Sequence, residues 1–266
     1  MEHPLDGVRL KLVRAEEHLR SLDLKIKEYF DSNPCEVVKK SEGKEVYFIL
    51  SIREQPPPEF GPIIGDCLHN MRSALDHLLW QLLRFPLPDG VRANRLTFPI
   101  FLNEIAYLEA VSSNGLSRCV SEDALAIIKR MQPYHGGDWA NMHALWVIHE
   151  LSNRDKHRMI HTTVGAATSD HVVLTGTMNP TFFSGVINPG ILEDGAELIR
   201  VPLALSPTER MKVNVRFRFF VALKEAEPWT DDAVTAYLDR CFDFLKNELV
   251  PAFEPLMDGK WQKLEL

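Results

Sequence analysis

Residues 65–84 carry the side chains best suited to chemistry. At 100° per residue, Asp66, His69, Asn70, Ser73, Asp76, His77 and Arg84 gather on one side of a helix. Met71, Leu75, Leu78, Leu79 and Leu82 gather on the other, a stripe broad enough to seat the helix on a core. A merely solvated face of this length would be rich in Lys, Glu and Gln, whereas this one holds two His, two Asp, an Asn and a Ser. Imidazoles exchange protons near neutral pH, and imidazole and carboxylate alike ligate metals.

Three readings of this face stay open. A guanidinium meets two phosphate oxygens at once and a His moves protons. The first reading, phosphodiester cleavage by Arg72 and His77 with Asp66, His69, Asn70 and Asp76 in support, is what a family resemblance of the R-x4-H run implies. In the metal reading, Asp66, His69, Ser73 and His77 follow one another along the face, and a second helix offers His143, His149 and Glu150. The zinc-protease spacing fails there, because His149-Glu150 is followed by Leu151 and Ser152. In the structural reading, Arg72 pairs with Asp76 at i,i+4, and His69 and His77 are hydrogen-bonded packing residues.

A second charged cluster, Asn153-Arg154-Asp155-Lys156-His157-Arg158, closes the helix that carries His143 and His149. Its cations suit a helix C-terminus. Asp155, Lys156, His157 and Arg158, with His161, also suit a phosphate-facing patch beside the first cluster. Tyr134-His135-Gly136-Gly137-Asp138 is too poor in glycine for a phosphate loop.

The run Arg72-Ser73-Ala74-Leu75-Asp76-His77 has the form R-x4-H inside a helix, and it resembles the signature of the HEPN superfamily of helical-bundle domains. That resemblance implies a metal-independent ribonuclease without cofactor. Its Arg and His would face a cleft, often one built by two protomers, so RNA and a second copy of the chain are the implied partners. His77 would promote attack of the ribose 2′-hydroxyl on the adjacent phosphate while Arg72 stabilises the growing charge. Ser73 stands where the family usually has Asn, Asp or His, and the motif falls early in the chain.

The elements that must position these residues follow from periodicity. Helices are expected at 4–31, with Leu12, Leu19, Leu22, Ile26 and Phe30 inward, at 61–84, and at 103–111 and 121–131, the last capped by Ser121. A helix capped by Asp138 should run to about Asn153, burying Trp139, Met142, Leu145, Ile148 and Leu151. A last one should span 230–250, opened by Thr230-Asp231-Asp232 and ended or kinked at Pro251. Alternation over residues 45–53 predicts a strand buried on both faces, and further strands are expected at 159–165, 171–177, 197–204 and 211–222. The proline-punctuated stretch 85–103 reads as a lid or covering segment. Together these predict an α+β fold: a helix-dominated four-helix bundle core with an antiparallel β-meander inserted before the C-terminal helix. One domain, 1–266, is expected, its helical core at 1–158 and 228–255 and its β-rich insertion at 159–222.

A 45% hydrophobic, 25% charged chain of net charge −7 is expected to be globular and not a generic nucleic-acid coat. Four scattered cysteines, no membrane-length apolar run and no signal-like start predict a cytoplasmic protein with reduced thiols. The favoured activity is metal-independent RNA cleavage centred on Arg72 and His77. A non-catalytic interaction or scaffold protein competes with it, favoured by the acidic charge and Ser73, and a metal-dependent bundle enzyme comes third.

Overall fold

The computed structural model describes residues 3–43, 45–168, 172–175, 182–183, 190–202, 212–214, 217–224, 226–229 and 232–257. They fall into two compact units, one of Met1–Leu22, Pro62–Ile160 and Thr235–Leu266, the other of Asp23–Gly61 and His161–Val234. The fold is α+β and rich in helix.

In the first unit the apolar stripes meet as expected. Helix α1 (Asp6–Asp31) buries Val8, Leu12, Ala15, Leu19 and Leu22, and α2 (Phe60–Leu82) buries Met71, Leu75, Leu78, Leu79 and Leu82. Each such side chain removed from water stabilises by about 1.5–3 kcal/mol for the larger residues, which fixes the phase of α2 and of its polar face. Cys67 Sγ donates to the Ala15 carbonyl at 3.6 Å while His77 lies against Gly7, so α1 and α2 run antiparallel.

Residues 85–103, with a 3-10 turn at Ala93–Arg95, are stitched down rather than loose. Phe98 and Ile100 are buried, and the buried Gln132 side chain accepts from Phe101 N–H at 3.0 Å and donates to the Pro99 carbonyl at 2.9 Å. Three helices follow, α3 (Glu104–Ser113), α4 (Leu116–Cys119) and α5 (Glu122–Arg130). Ser121 caps α5 as its side-chain type predicts, accepting from Ala124 N–H at 3.2 Å.

The helix expected from Asp138 is not there. Pro133–Met142 forms 3-10 turns broken at Gly137, whose φ of 56° is outside helical space. Helix α6 (Ala144–His157) starts later and is capped by His143, whose Nδ1 accepts from Leu145 N–H at 3.2 Å. Leu145, Ile148 and Leu151 are buried as expected, but Trp139 is 74% exposed. Since α6 runs to His157, residues 153–157 form its last turns.

The chain returns through strands to α7 (Val234–Phe244), a π-helical turn at Leu245–Leu249, and α8 (Val250–Met257). Asp232 accepts from Ala233 N–H at 2.8 Å just before α7, while Thr230 and Asp231 lie outside the described residues. Pro251 does not end the helix. It has no N–H and its ring crowds the carbonyl four residues back. The preceding turn widens so that Val250 N–H reaches the Leu245 carbonyl. Arg9–Glu254 at 2.8 Å and Lys246–Glu16 at 3.6 Å tie this helix to α1.

The second unit holds the strands, all paired antiparallel. A hairpin of β1 (Cys35–Glu42) and β2 (Glu45–Ile52) precedes α2, and only β2 was legible from alternation. Val46, Phe48 and Leu50 are buried while Tyr47, Ile49 and Ser51 are half-buried, so β2 is covered on one face rather than both. Further on come β3 (Thr162–Thr168), β4 (Val172–Thr175), β5 (Phe182–Phe183), β6 (Gly190–Ile191), β7 (Glu197–Pro202), β8 (Lys212–Asn214) and β9 (Phe217–Leu223). They complete three sheets, β1-β2-β7, β6-β3-β9 and β5-β4-β8. The single strand expected over 211–222 is thus two strands in different sheets, and residues 215 and 216 lie outside the described set. Among the described residues no helix is long and apolar enough to cross a membrane. All four cysteines are free thiols.

Candidate functional site

The polar face of α2 is divided between its neighbours. Arg72 turns inward and is 13% exposed. Its Nη2 donates to the Phe98 carbonyl at 2.9 Å and to Asp76 Oδ1 at 3.2 Å, and the same carboxylate oxygen accepts from Phe98 N–H at 2.9 Å. Two α2 side chains thereby grip both backbone groups of one residue in the covering segment. Arg72 Nη1 is buried without a hydrogen-bond partner. Burial pulls the guanidinium below its ordinary value, and Asp76 opposes that shift.

His77 is five residues on, about 140° around the helix, and faces elsewhere. It is exposed to a cleft of about 940 Å³ that Arg72 does not line. Asp76, His77, Trp80 and Gln81 form one wall, the first turns of α1 the second, and residues around Ala93 to Leu96 the third. From α1 come Lys11 and Arg14, and His3 comes from just before it. Arg14 pairs with Glu17, whereas Lys11 has no hydrogen-bond or ion-pair partner among the described residues. The cleft is therefore lined by an uncommitted cation as well as an accessible imidazole. Asp76 belongs to both structures, since it lines the cleft and holds the segment that walls it.

Gly7 makes the close approach possible, because a Cβ added there would lie 3.2 Å from His77 Nδ1. Gly7→Ala should leave stability unchanged or raise it by up to about 1 kcal/mol, since Ala is the better helix former. It should also push the imidazole aside by a few tenths of an ångström and lower any His77-dependent turnover about 3- to 10-fold, since reacting groups tolerate little misplacement. Urea unfolding and single-turnover rates on one preparation check both halves.

Asp66, His69 and Asp155 form a separate group where α6 passes the start of α2. A Cβ on Gly65 would fall 2.6 Å from either Asp155 carboxylate oxygen, so the glycine admits this contact. Burial and then Asp66 push the Asp155 carboxyl up, while His69 opposes them. Asn70 Nδ2 donates to the Asp66 carbonyl at 2.8 Å and so serves its own helix. Lys156 reaches Asn153 Oδ1 at 3.4 Å, and His157 and Arg158 are exposed. None of residues 155–158 lines the His77 cleft. Among the described residues no three His, Cys, Asp or Glu side chains are grouped to hold a metal ion.

Two half-buried histidines of the same unit act as proton-sensitive packing. Burial lowers His143, helped by His135. Burial lowers His149 too, helped by Arg72. Both rings also make contacts that need a lone pair: His143 Nδ1 caps α6, and Asn153 Nδ2 lies 3.1 Å from His149 Nε2. Each pKa is lower folded than its unfolded value of 6.5, so the unfolded chain protonates first as pH falls. For these two groups stability should be level above pH ~6.5 and fall modestly below it, by well under the ~1.4 kcal/mol per pH unit of a fully shifted histidine, since both rings are only half-buried. His143→Asn, which keeps a capping acceptor, should flatten that fall in urea midpoints taken between about pH 5 and 7.5.

Sequence reasoning did not find Gly7, Gly65, Lys11, Arg14 or Trp80. The two glycines left a signal, because a glycine inside a helical pattern marks a close approach. Lys11 and Arg14 have the look of any solvated helix surface. Compared with family models, curated proteins and solved structures, the chain matches none.

Proposed function

We propose that this protein is a metal-independent endoribonuclease on a four-helix array, and that the cleft beside His77 is its active site. The observation that supports this most is that an accessible imidazole, His77, and an uncommitted ammonium, Lys11, line one cleft of about 940 Å³. His77 takes the proton from a ribose 2′-hydroxyl as that oxygen attacks the adjacent phosphorus. The bond to the 5′-oxygen breaks, and the proton is delivered to that leaving oxygen. The products are a 2′,3′-cyclic phosphate and a 5′-hydroxyl. Lys11 stabilises the charge gathering on the phosphoryl oxygens. Arg72 acts at one remove, by holding Asp76 and the segment that walls the cleft. Asp66, His69 and Asn70 orient the start of α2, and Lys156, His157 and Arg158 attract the backbone of a longer RNA while Asp155 holds their helix against α2.

Reduced thiols and an RNA substrate suit the cytoplasm, and the R-x4-H resemblance makes a homodimer the expected assembly. Single-stranded RNA incubated with the protein in EDTA should be cut and carry cyclic phosphate ends. One observation favours a second reading, a binding module without turnover: the Arg72 guanidinium is already engaged by Asp76 and the Phe98 carbonyl. Under that reading the same incubation gives bound but intact RNA.

A further inference from the structure

Trp80 is the largest side chain in the cleft and takes no part in the chemistry proposed above. It is 51% exposed although it sits one helical turn after His77 on the most deeply packed helix of its unit. Phe85, also exposed, lies beside it with ring centroids 5.4 Å apart and planes at 52°. A large aromatic face left in water inside a concave site is costly unless something flat covers it. The same cleft presents Lys11 and His77, which suit a phosphate and not a purely apolar occupant. A flat ring joined to a phosphate is a nucleotide.

We infer that Trp80 is the base platform of the cleft: an unpaired nucleobase stacks on its indole and so sets the neighbouring phosphodiester between His77 and Lys11. Stacking of this kind tolerates any base, because every base has a π-face, but it requires a base outside a duplex. The single turn separating positions 77 and 80 keeps platform and imidazole on one face of α2. The inference rests on the ribonuclease reading for its scissile phosphate and not for its binding.

The test uses a labelled 2′-O-methyl single-stranded oligonucleotide, which lacks the attacking hydroxyl, and follows anisotropy on the full chain. Trp80→Leu, which keeps apolar bulk and lacks a π-face, should weaken binding about 5- to 100-fold. Trp80→Tyr should stay within a few-fold of wild type. With one abasic nucleotide at the stacked position, the difference between wild type and Trp80→Leu should disappear. Equal binding by wild type and Trp80→Leu, or no binding by wild type, overturns the inference. Trp80-dependent binding without any cleavage of RNA would leave it standing and remove the ribonuclease reading. Cleavage of RNA with binding unchanged in Trp80→Leu would do the reverse.

Discussion

His77→Ala should lower the rate of RNA cleavage by about 10²–10⁴-fold, the range associated with losing a positioned proton carrier. The variant should fold as well as wild type, because His77 is exposed and its neighbour on α1 is a glycine that makes no side-chain contact. Substrate affinity should change little, since the ring contributes one of several contacts in the cleft. The expected signature is a lost turnover number with a nearly constant KM. Lys11→Ala should instead lower the turnover number and raise KM, because an ammonium holds the ground-state phosphate as well as the charged transition state. An active His77→Ala protein would move the chemistry elsewhere.

The second large effect concerns stability. Asp76→Ala should cost about 2–3 kcal/mol, since it strips Phe98 N–H of its acceptor and leaves the buried Arg72 cation unpaired. Arg72→Met should cost less. It loses the bond to the Phe98 carbonyl, but it also removes a buried charge whose Nη1 has no partner. The double variant should be more stable than the sum of the two losses implies, because the unpaired cation that makes Asp76→Ala expensive is gone. Urea midpoints give the energies. Limited proteolysis should show cleavage within residues 85–97 of Asp76→Ala, where the covering segment has lost its anchor. Single and double variants that unfold at the wild-type midpoint would mean the clamp is idle.

The polar face of α2 was readable from spacing alone because its opposite face is so apolar that the helix has one stable rotation. All of Met71, Leu75, Leu78, Leu79 and Leu82 are buried where the repeat places them. What each polar residue meets was not readable, because that depends on segments distant in the chain. Phe98 reaches Arg72 from a proline-punctuated stretch without periodicity, and α1 brings Gly7 and Lys11 to His77 by packing of its buried side. The start of α6 misled for a local reason. Asp138 is a fitting cap by residue type, but Gly137 before it adopts positive φ and breaks the helix, and the cap is a histidine. Strand β1 escaped notice because Lys39, Lys40, Ser41 and Glu42 hide its alternation, while β2 beside it shows the pattern plainly.

The most direct measurement offers the wild-type protein, in EDTA, a DNA oligonucleotide containing a single ribonucleotide. One cut is expected, on the 3′ side of that ribonucleotide, leaving a 2′,3′-cyclic phosphate and a 5′-hydroxyl, and no cut in the same oligonucleotide when His77 is replaced by Ala. Intact oligonucleotide with the wild-type protein, or identical cutting by His77→Ala, would contradict the proposed function.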